Sequence, residues 1–300
     1  MRSGMMTKVA AAGAAGLVAV AAAGCGGATE EADGVSVVTG VYPLEWLASQ
    51  VGGEAVTVTN LTEPGAEPHD LELSPRQIGV ISDADVALYI QGMQPAVDDA
   101  VAQQAADSAL DVAQVVELRE VPSADGGGTD PHMWLDPQRM AEVAGSLGER
   151  LAEIDPDGAA AYRANAQRVA DELGTLEAEY TERLDDCETR NFVVSHAAFG
   201  YLADKYDLNQ IGITGIEPDS EPSPARMAEV AETVREQGVT TIFTETLVSP
   251  AVAETVAEET GARTAVLDPL EGITDASPGD DYPSVMRANL DTLAEALSCS

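Results

Sequence analysis

Three histidines make up the whole imidazole complement of this 300-residue chain. They are His69 in Glu67-Pro68-His69-Asp70, His132 in Asp130-Pro131-His132-Met133-Trp134, and His196 in Val194-Ser195-His196-Ala197. Each sits where a predicted strand or loop runs into a helix, and α/β folds place ligands there, beyond the carboxyl ends of strands. Imidazole is the commonest metal-binding side chain. One histidine beside a proline is ordinarily a loop residue bonded to a carbonyl, but three in equivalent positions point to a shared metal site. Spacings of 63 and 64 residues rule out a local zinc finger, whose ligands come in pairs a few residues apart. Tertiary folding must therefore bring the three together. Zinc takes four ligands, and a carboxylate is the natural fourth. Asp275, in Leu270-Glu271-Gly272-Ile273-Thr274-Asp275, is the leading candidate; Glu217, Glu245, Asp268 and Glu271 lie in comparable loops and rank below it.

Elements able to position these residues alternate along the chain. Residues 35–39, 56–61, 86–90, 192–194, 241–244 and 264–267 are runs rich in β-branched and apolar side chains, which read as strands. Helices are expected over 44–51, 96–106, 138–154, 198–206 and 284–297, and after the Ser-Pro pairs at 74, 223 and 249. Ser74-Pro75-Arg76-Gln77 has the capping-box pattern with proline at the first helical position. Strand–helix alternation implies α/β architecture with parallel sheets and crossover helices. Residues 159–185 contain no proline, and Val169, Leu173, Leu176, Tyr180 and Leu184 mark one helical face. So long a helix is a strut between two lobes or the long edge of a single domain.

The ends and the composition bound what the chain can be. Arg2 and Lys8 precede an apolar stretch, Val9 to Ala23, too short to cross a bilayer and suited to a secretory signal. Ala22-Ala23-Gly24-Cys25 resembles the lipobox of bacterial lipoproteins, so residues 1–24 are expected to be removed, Cys25 lipidated, and residues 25–34 left as a flexible tether. That places the protein on the extracytoplasmic side of the cell membrane, held by a lipid anchor. A net charge of −37 excludes nucleic-acid partners, because phosphates would be repelled. The dispersed acids otherwise read as a solvated surface. Cys187 and Cys299 are the two other cysteines; export to an oxidising compartment makes a disulfide between them the favoured state, with two separate thiols as the alternative.

These residues, taken together, resemble the zinc/manganese-specific substrate-binding lipoproteins of bacterial ABC importers, in which a long rigid helix joins two lobes. The likeness runs over residues 35–298 and rests on Glu67-Pro68-His69-Asp70-Leu71, Ser82-Asp83-Ala84-Asp85, Asp130-Pro131-His132-Met133-Trp134, Ser195-His196-Ala197-Ala198-Phe199-Gly200-Tyr201 and Asp268-Pro269-Leu270. It implies two α/β lobes, 35–156 and 188–300, each with a parallel sheet flanked by helices, joined by a linking helix in 157–187 with the ligand in the cleft. It also implies a monomeric, non-enzymatic protein that passes its metal to an ABC transporter permease, with His69, His132, His196 and Asp275 as ligands. Three imidazoles and one carboxylate suit Zn²⁺ as the transported ion better than Mn²⁺, which prefers more oxygen. Many zinc-type members carry a histidine-rich loop before the second ligand; residues 123–129 contain no histidine. A zinc-dependent hydrolase, with three histidines and a bound water, is the rival from another class. A manganese-specific binder or an adhesin on the same fold is the rival within it.

Overall fold

Two four-stranded sheets, each entirely parallel, organise the chain in the computed structural model. It describes residues 34–121 and 127–300. The signal segment, the lipidation of Cys25 and the tether lie outside the described residues. The first sheet contains β1 (Val35–Thr39), β2 (Val56–Asn60), β3 (Val86–Tyr89) and β4 (Ala109–Asp111), in the spatial order β2-β1-β3-β4. Its crossovers include α1 (Tyr42–Gly52), α2 (Pro75–Asp83) and α3 (Pro95–Gln104). Central strands β1 and β3 bury nearly every residue, as strands covered on both faces must. At the edge, β2 instead alternates, with Thr57 and Thr59 exposed.

A two-stranded antiparallel ribbon, β5 (Arg119–Glu120) with β6 (Thr129–Asp130), follows and leads to the 3-10 turn Met133–Leu135. Helices α4 (Pro137–Ile154) and α5 (Ala159–Leu184) come next. The second sheet is built from β7 (Asn191–Val194), β8 (Asn209–Gly212), β9 (Thr241–Thr244) and β10 (Arg263–Val266), ordered β10-β9-β7-β8. Interleaved with them are α6 (Gly200–Lys205), α7 (Pro224–Gln237) and α8 (Ala251–Thr260), and α9 (Tyr282–Leu297) closes the chain. In each sheet the first strand lies between the second and third, β1 between β2 and β3, β7 between β8 and β9. The strand order thus reverses beside it while all strands stay parallel, a switch point that opens a crevice at the carboxyl edge.

Two of the three Ser-Pro pairs start their helices by side-chain capping. Ser74 and Ser223 adopt extended backbone and accept from the N3 amides of Gln77 and Arg226, and Ser74 with Gln77 completes the capping box. Ser249 does not cap: Pro250 already has helical angles and takes the cap position of α8. Strand β8 was not anticipated because Asn-Gln-Ile-Gly contains a single β-branched residue; register with β7 makes it a strand.

Long helix α5 buries Tyr162, Ala166, Val169, Leu173, Leu176, Tyr180 and Leu184, the face expected from its periodicity. It packs on α1, α4 and α9. Near its start Asn165 Nδ2 donates to the Val51 carbonyl (3.0 Å), and near its end the Tyr180 hydroxyl donates to the Met286 carbonyl (2.6 Å). Gly148 on α4 permits the close approach: a Cβ there would lie 2.9 Å from the Ala166 Cβ. One hydrophobic cluster runs through both halves of the chain, and the Trp46 ring stacks on Tyr282 with centroids 4.7 Å apart.

Cys187, just beyond α5, is joined to Cys299 at the C-terminus by a disulfide closing a sequence separation of 112 residues. A loop of that length restricts the unfolded chain strongly. The double variant Cys187→Ser/Cys299→Ser should therefore lose about 2–4 kcal/mol of unfolding free energy in urea titrations. A loss below 0.5 kcal/mol would show that the bridge constrains little.

Candidate metal centre

His69 and His196 arrive at the crevice from the carboxyl edges of the two parallel sheets, and His132 from the β5–β6 ribbon. His69 lies in the loop after β2, His132 follows β6, and His196 is two residues past the end of β7. All three are buried, two of them with no more than 1% of the residue exposed. Their Nε2 atoms converge. His69 Nε2 is 3.3 Å from His132 Nε2. Glu271 Oε1 lies 3.2 Å from His69 Nε2, 3.0 Å from His132 Nε2 and 3.3 Å from His196 Nε2.

The carboxylate in this group is Glu271, ranked lower in the sequence reading, and Asp275 is excluded from it. The physical reason is the turn at 274–277. Ser277 N–H donates to the Thr274 carbonyl, Ala276 N–H donates to Thr274 Oγ1, and Asp275 stands exposed at the tip. Glu271 points inward because the preceding loop is fastened from several sides. Leu270, fully buried, has φ 63°, a left-handed conformation that leucine rarely adopts and that neighbouring contacts must enforce. Its N–H donates to Asp268 Oδ1 (2.8 Å). Buried Asn289 on α9 accepts from the Asp268 N–H (2.9 Å) and donates to the Asp268 carbonyl (2.7 Å). Trp134 Nε1 donates to the Pro269 carbonyl (2.7 Å), coupling the His132 turn to the Glu271 loop. Such a clamp has no local signature in sequence, and no glycine advertises the unusual φ.

The outer nitrogens of two rings meet buried carboxylates. His132 Nδ1 is 2.8 Å from Asp130 Oδ1, and His196 Nδ1 is 2.9 Å from Glu245 Oε2. An Nδ1–H donated outward leaves the Nε2 lone pair facing the convergence point, the tautomer that a metal requires. Asp130 Oδ1 also accepts the His132 backbone N–H (3.0 Å), and Glu245 Oε1 accepts from the Ser195 hydroxyl. Glu245 and Glu217, considered as possible fourth ligands, thus stand behind the rings instead; Glu217 Oε2 is 3.6 Å from His69 Nδ1. The carboxylate of Asp268, also considered, accepts from the Leu270 N–H (2.8 Å) and from the Thr246 hydroxyl (3.2 Å) and lies outside the group.

Electrostatics tie the group together. Burial opposes a charged His132, but the Asp130 and Glu271 carboxylates outweigh it and hold its pKa above the ordinary value. Burial likewise opposes charge on His196, and Glu245 with Glu271 raise its pKa well above that value. Glu271, although burial disfavours its anion, is held well below the usual carboxylate range by His196, His132 and His69. Glu67, whose Oε1 accepts the His69 N–H (2.9 Å), is pushed up to about 8 by burial and by the Glu271 charge.

Divalent zinc fits this donor set. Tetrahedral ligands at ~2.0–2.2 Å from the ion stand about 3.3–3.6 Å apart, close to the 3.0–3.3 Å separations that Glu271 Oε1 makes with the three rings and near the 3.3 Å between His69 and His132. His196 Nε2 is buried with no hydrogen-bond partner, a costly state that a cation at the convergence point relieves.

Comparison with known proteins gives the same direction. The family model described as ZnuA, zinc-uptake complex component A periplasmic, matches residues 37–296. Zinc-binding protein AdcA of Streptococcus pyogenes serotype M6 is 37% identical over 284 residues, which are 86% of this chain and 55% of that protein. The chain thus spans about half the length of that relative. The high-affinity zinc uptake system protein ZnuA of Bacillus subtilis is 32% identical over 289 residues, 91% of this chain and 90% of that one. The crystal structure of Zn(II)-bound AdcA from Streptococcus pneumoniae matches with a TM-score of 0.76 at 32% identity, covering 88% of this chain and 58% of that one.

Proposed function

Because the chain belongs to the zinc-uptake complex component A family, we propose that it captures Zn²⁺ outside the cytoplasm and delivers it to the permease of an ABC importer. One observation carries the reading: three buried Nε2 atoms and one buried carboxylate converge within 4.8 Å of one another. His69, His132, His196 and Glu271 are the ligands in this reading. The lobes 35–156 and 188–300 face each other across the ion. Lipidated Cys25 keeps the protein on the outer face of the membrane, within reach of its permease.

The fourth protein donor supports binding over catalysis: catalytic zinc sites keep one position for water, and Glu271 would fill that position. No helix among the described residues is long and apolar enough to cross a membrane. Three nitrogens with one carboxylate favour zinc over manganese, which also lies at the weak end of the divalent affinity order.

The test is competitive titration of the metal-stripped protein with Zn²⁺ and Mn²⁺. Zinc should bind one ion per chain and at least about tenfold more tightly than manganese. Equal affinity for the two ions, or displacement of bound zinc by equimolar manganese, would overturn the assignment.

A further inference from the structure

The four donors are not divided evenly between the two sheets. His132 belongs by sequence to the first half, yet many of its anchors come from the second. The Tyr201 hydroxyl on α6 accepts the Arg119 N–H (2.7 Å) and donates to the Asp130 carbonyl (2.7 Å), docking the β5–β6 ribbon. Arg119 Nε also reaches Asp204 Oδ2 (2.6 Å). Beyond the histidine, Trp134 donates to Pro269 and the Tyr282 hydroxyl donates to the Trp134 carbonyl. His196 and Glu271 lie in the second half outright. Three donors are therefore fixed to the second sheet and its helices.

His69 is the exception. Its loop is fastened to the first sheet: Gln94 Nε2 donates to the carbonyls of Pro68 and Gly40 (2.9 Å each), and Gln77 Nε2 to that of Leu61 (2.8 Å). The support behind its ring also differs. Asp130 and Glu245 are almost wholly buried behind the other rings, whereas the Glu217 side chain is 62% exposed and stands farther away, at 3.6 Å. Glu217 lines a cleft of about 630 Å³ whose walls include Thr129 and Pro131 on one side and Thr214 and Arg226 on the other. The cleft runs from solvent to Pro131, next to His132.

We propose that the ion exchanges through His69. Release begins when this one imidazole leaves, His132, His196 and Glu271 remain as a three-donor platform, and Glu217 is the positioning residue that latches the His69 ring across the cleft. A bound ion is lost ligand by ligand, and the first to go is the donor whose displacement disturbs least. With both backbones held in place, swinging the His132 ring outward breaks its 2.8 Å contact to buried Asp130, whereas swinging the His69 ring, whose backbone stays fastened by Glu67 and Gln94, separates the 3.6 Å contact to an exposed glutamate and those at the convergence point. The proposal rests on the zinc-binding reading above.

Stopped-flow transfer of zinc from the full chain to excess chelator tests it. Glu217→Gln should speed release about tenfold or more, as expected when a carboxylate behind a ligating histidine is removed. Glu221→Gln, a neighbouring acid in the same loop, should release at the parent rate, and all metal-free variants should melt alike. His69→Ala should still take up one zinc per chain at micromolar protein, while His196→Ala should not. A Glu217→Gln release rate within twofold of the parent, or equal retention by the two histidine variants, overturns the exchange assignment and leaves zinc binding intact. A parent protein that takes up no zinc sinks the functional reading and this assignment with it.

Discussion

Glu271→Ala should weaken zinc binding by roughly two to three orders of magnitude, while Asp275→Ala leaves it unchanged. The estimate follows from the ~10–16 kcal/mol that structural zinc sites return at neutral pH; shared among four ligands it is roughly 2.5–4 kcal/mol each. Loss of Glu271 also removes the buried anion that all three imidazoles face, so it leaves their positive or polar edges without a partner. Asp275, exposed at the tip of its turn, has no contact with any ring. Isothermal titration of both variants beside the parent separates the possibilities. If Asp275→Ala proved the weaker binder, the 268–275 loop would have to rearrange in solution and the Glu271 assignment would fall.

Zinc should raise the melting temperature, and the rise should grow with pH. Ligand at a thousandfold excess over Kd stabilises a native state by about 4 kcal/mol. In a protein of this size, about 2–4 °C per kcal/mol makes that roughly 8–16 °C. The pH trend follows from the site's own charges. Without metal, the raised pKa values of His132 and His196 stabilise the fold fully below the unfolded imidazole value of 6.5, and that contribution is lost as pH rises through the folded values. The lowered pKa of Glu271 works in the opposite sense, contributing above the ordinary 4.5 and lost as pH falls through its folded value. The metal-free site is thus at its most stabilising between about pH 4.5 and 6.5. Zinc must displace the histidine protons, so it competes poorly in that window and well above it. Thermal scans of stripped and zinc-loaded protein at pH 5.5, 7 and 8.5 should show a widening gap; a gap constant across the three would contradict the linkage.

How far the site could be foreseen varied with the kind of information each residue carries. The histidines were conspicuous because the chain has no others and because each ends a strand or loop before a helix. The α5 face was equally plain, since a 3.6-residue period survives in any amphipathic helix. Asp130 is part of a motif quoted for His132, yet nothing in the order of residues says that its side chain turns back to the ring. Glu271 and Asp275 are both acids in one loop, and local pattern favours neither. What separates them is a leucine held at positive φ, an asparagine on a helix 21 residues from Asp268, and an indole 135 residues from Pro269.

Periodicity, capping pairs and strand composition alone determined the α/β class, the alternating order of elements and the identity of the three imidazoles, because each is written in contiguous residues. Tertiary structure decided which carboxylate joins those rings, which acids stand behind them and which half of the molecule holds each donor. Those outcomes depend on where distant loops meet at the carboxyl edges of two sheets, and a distance in space between remote residues has no counterpart in their spacing along the chain.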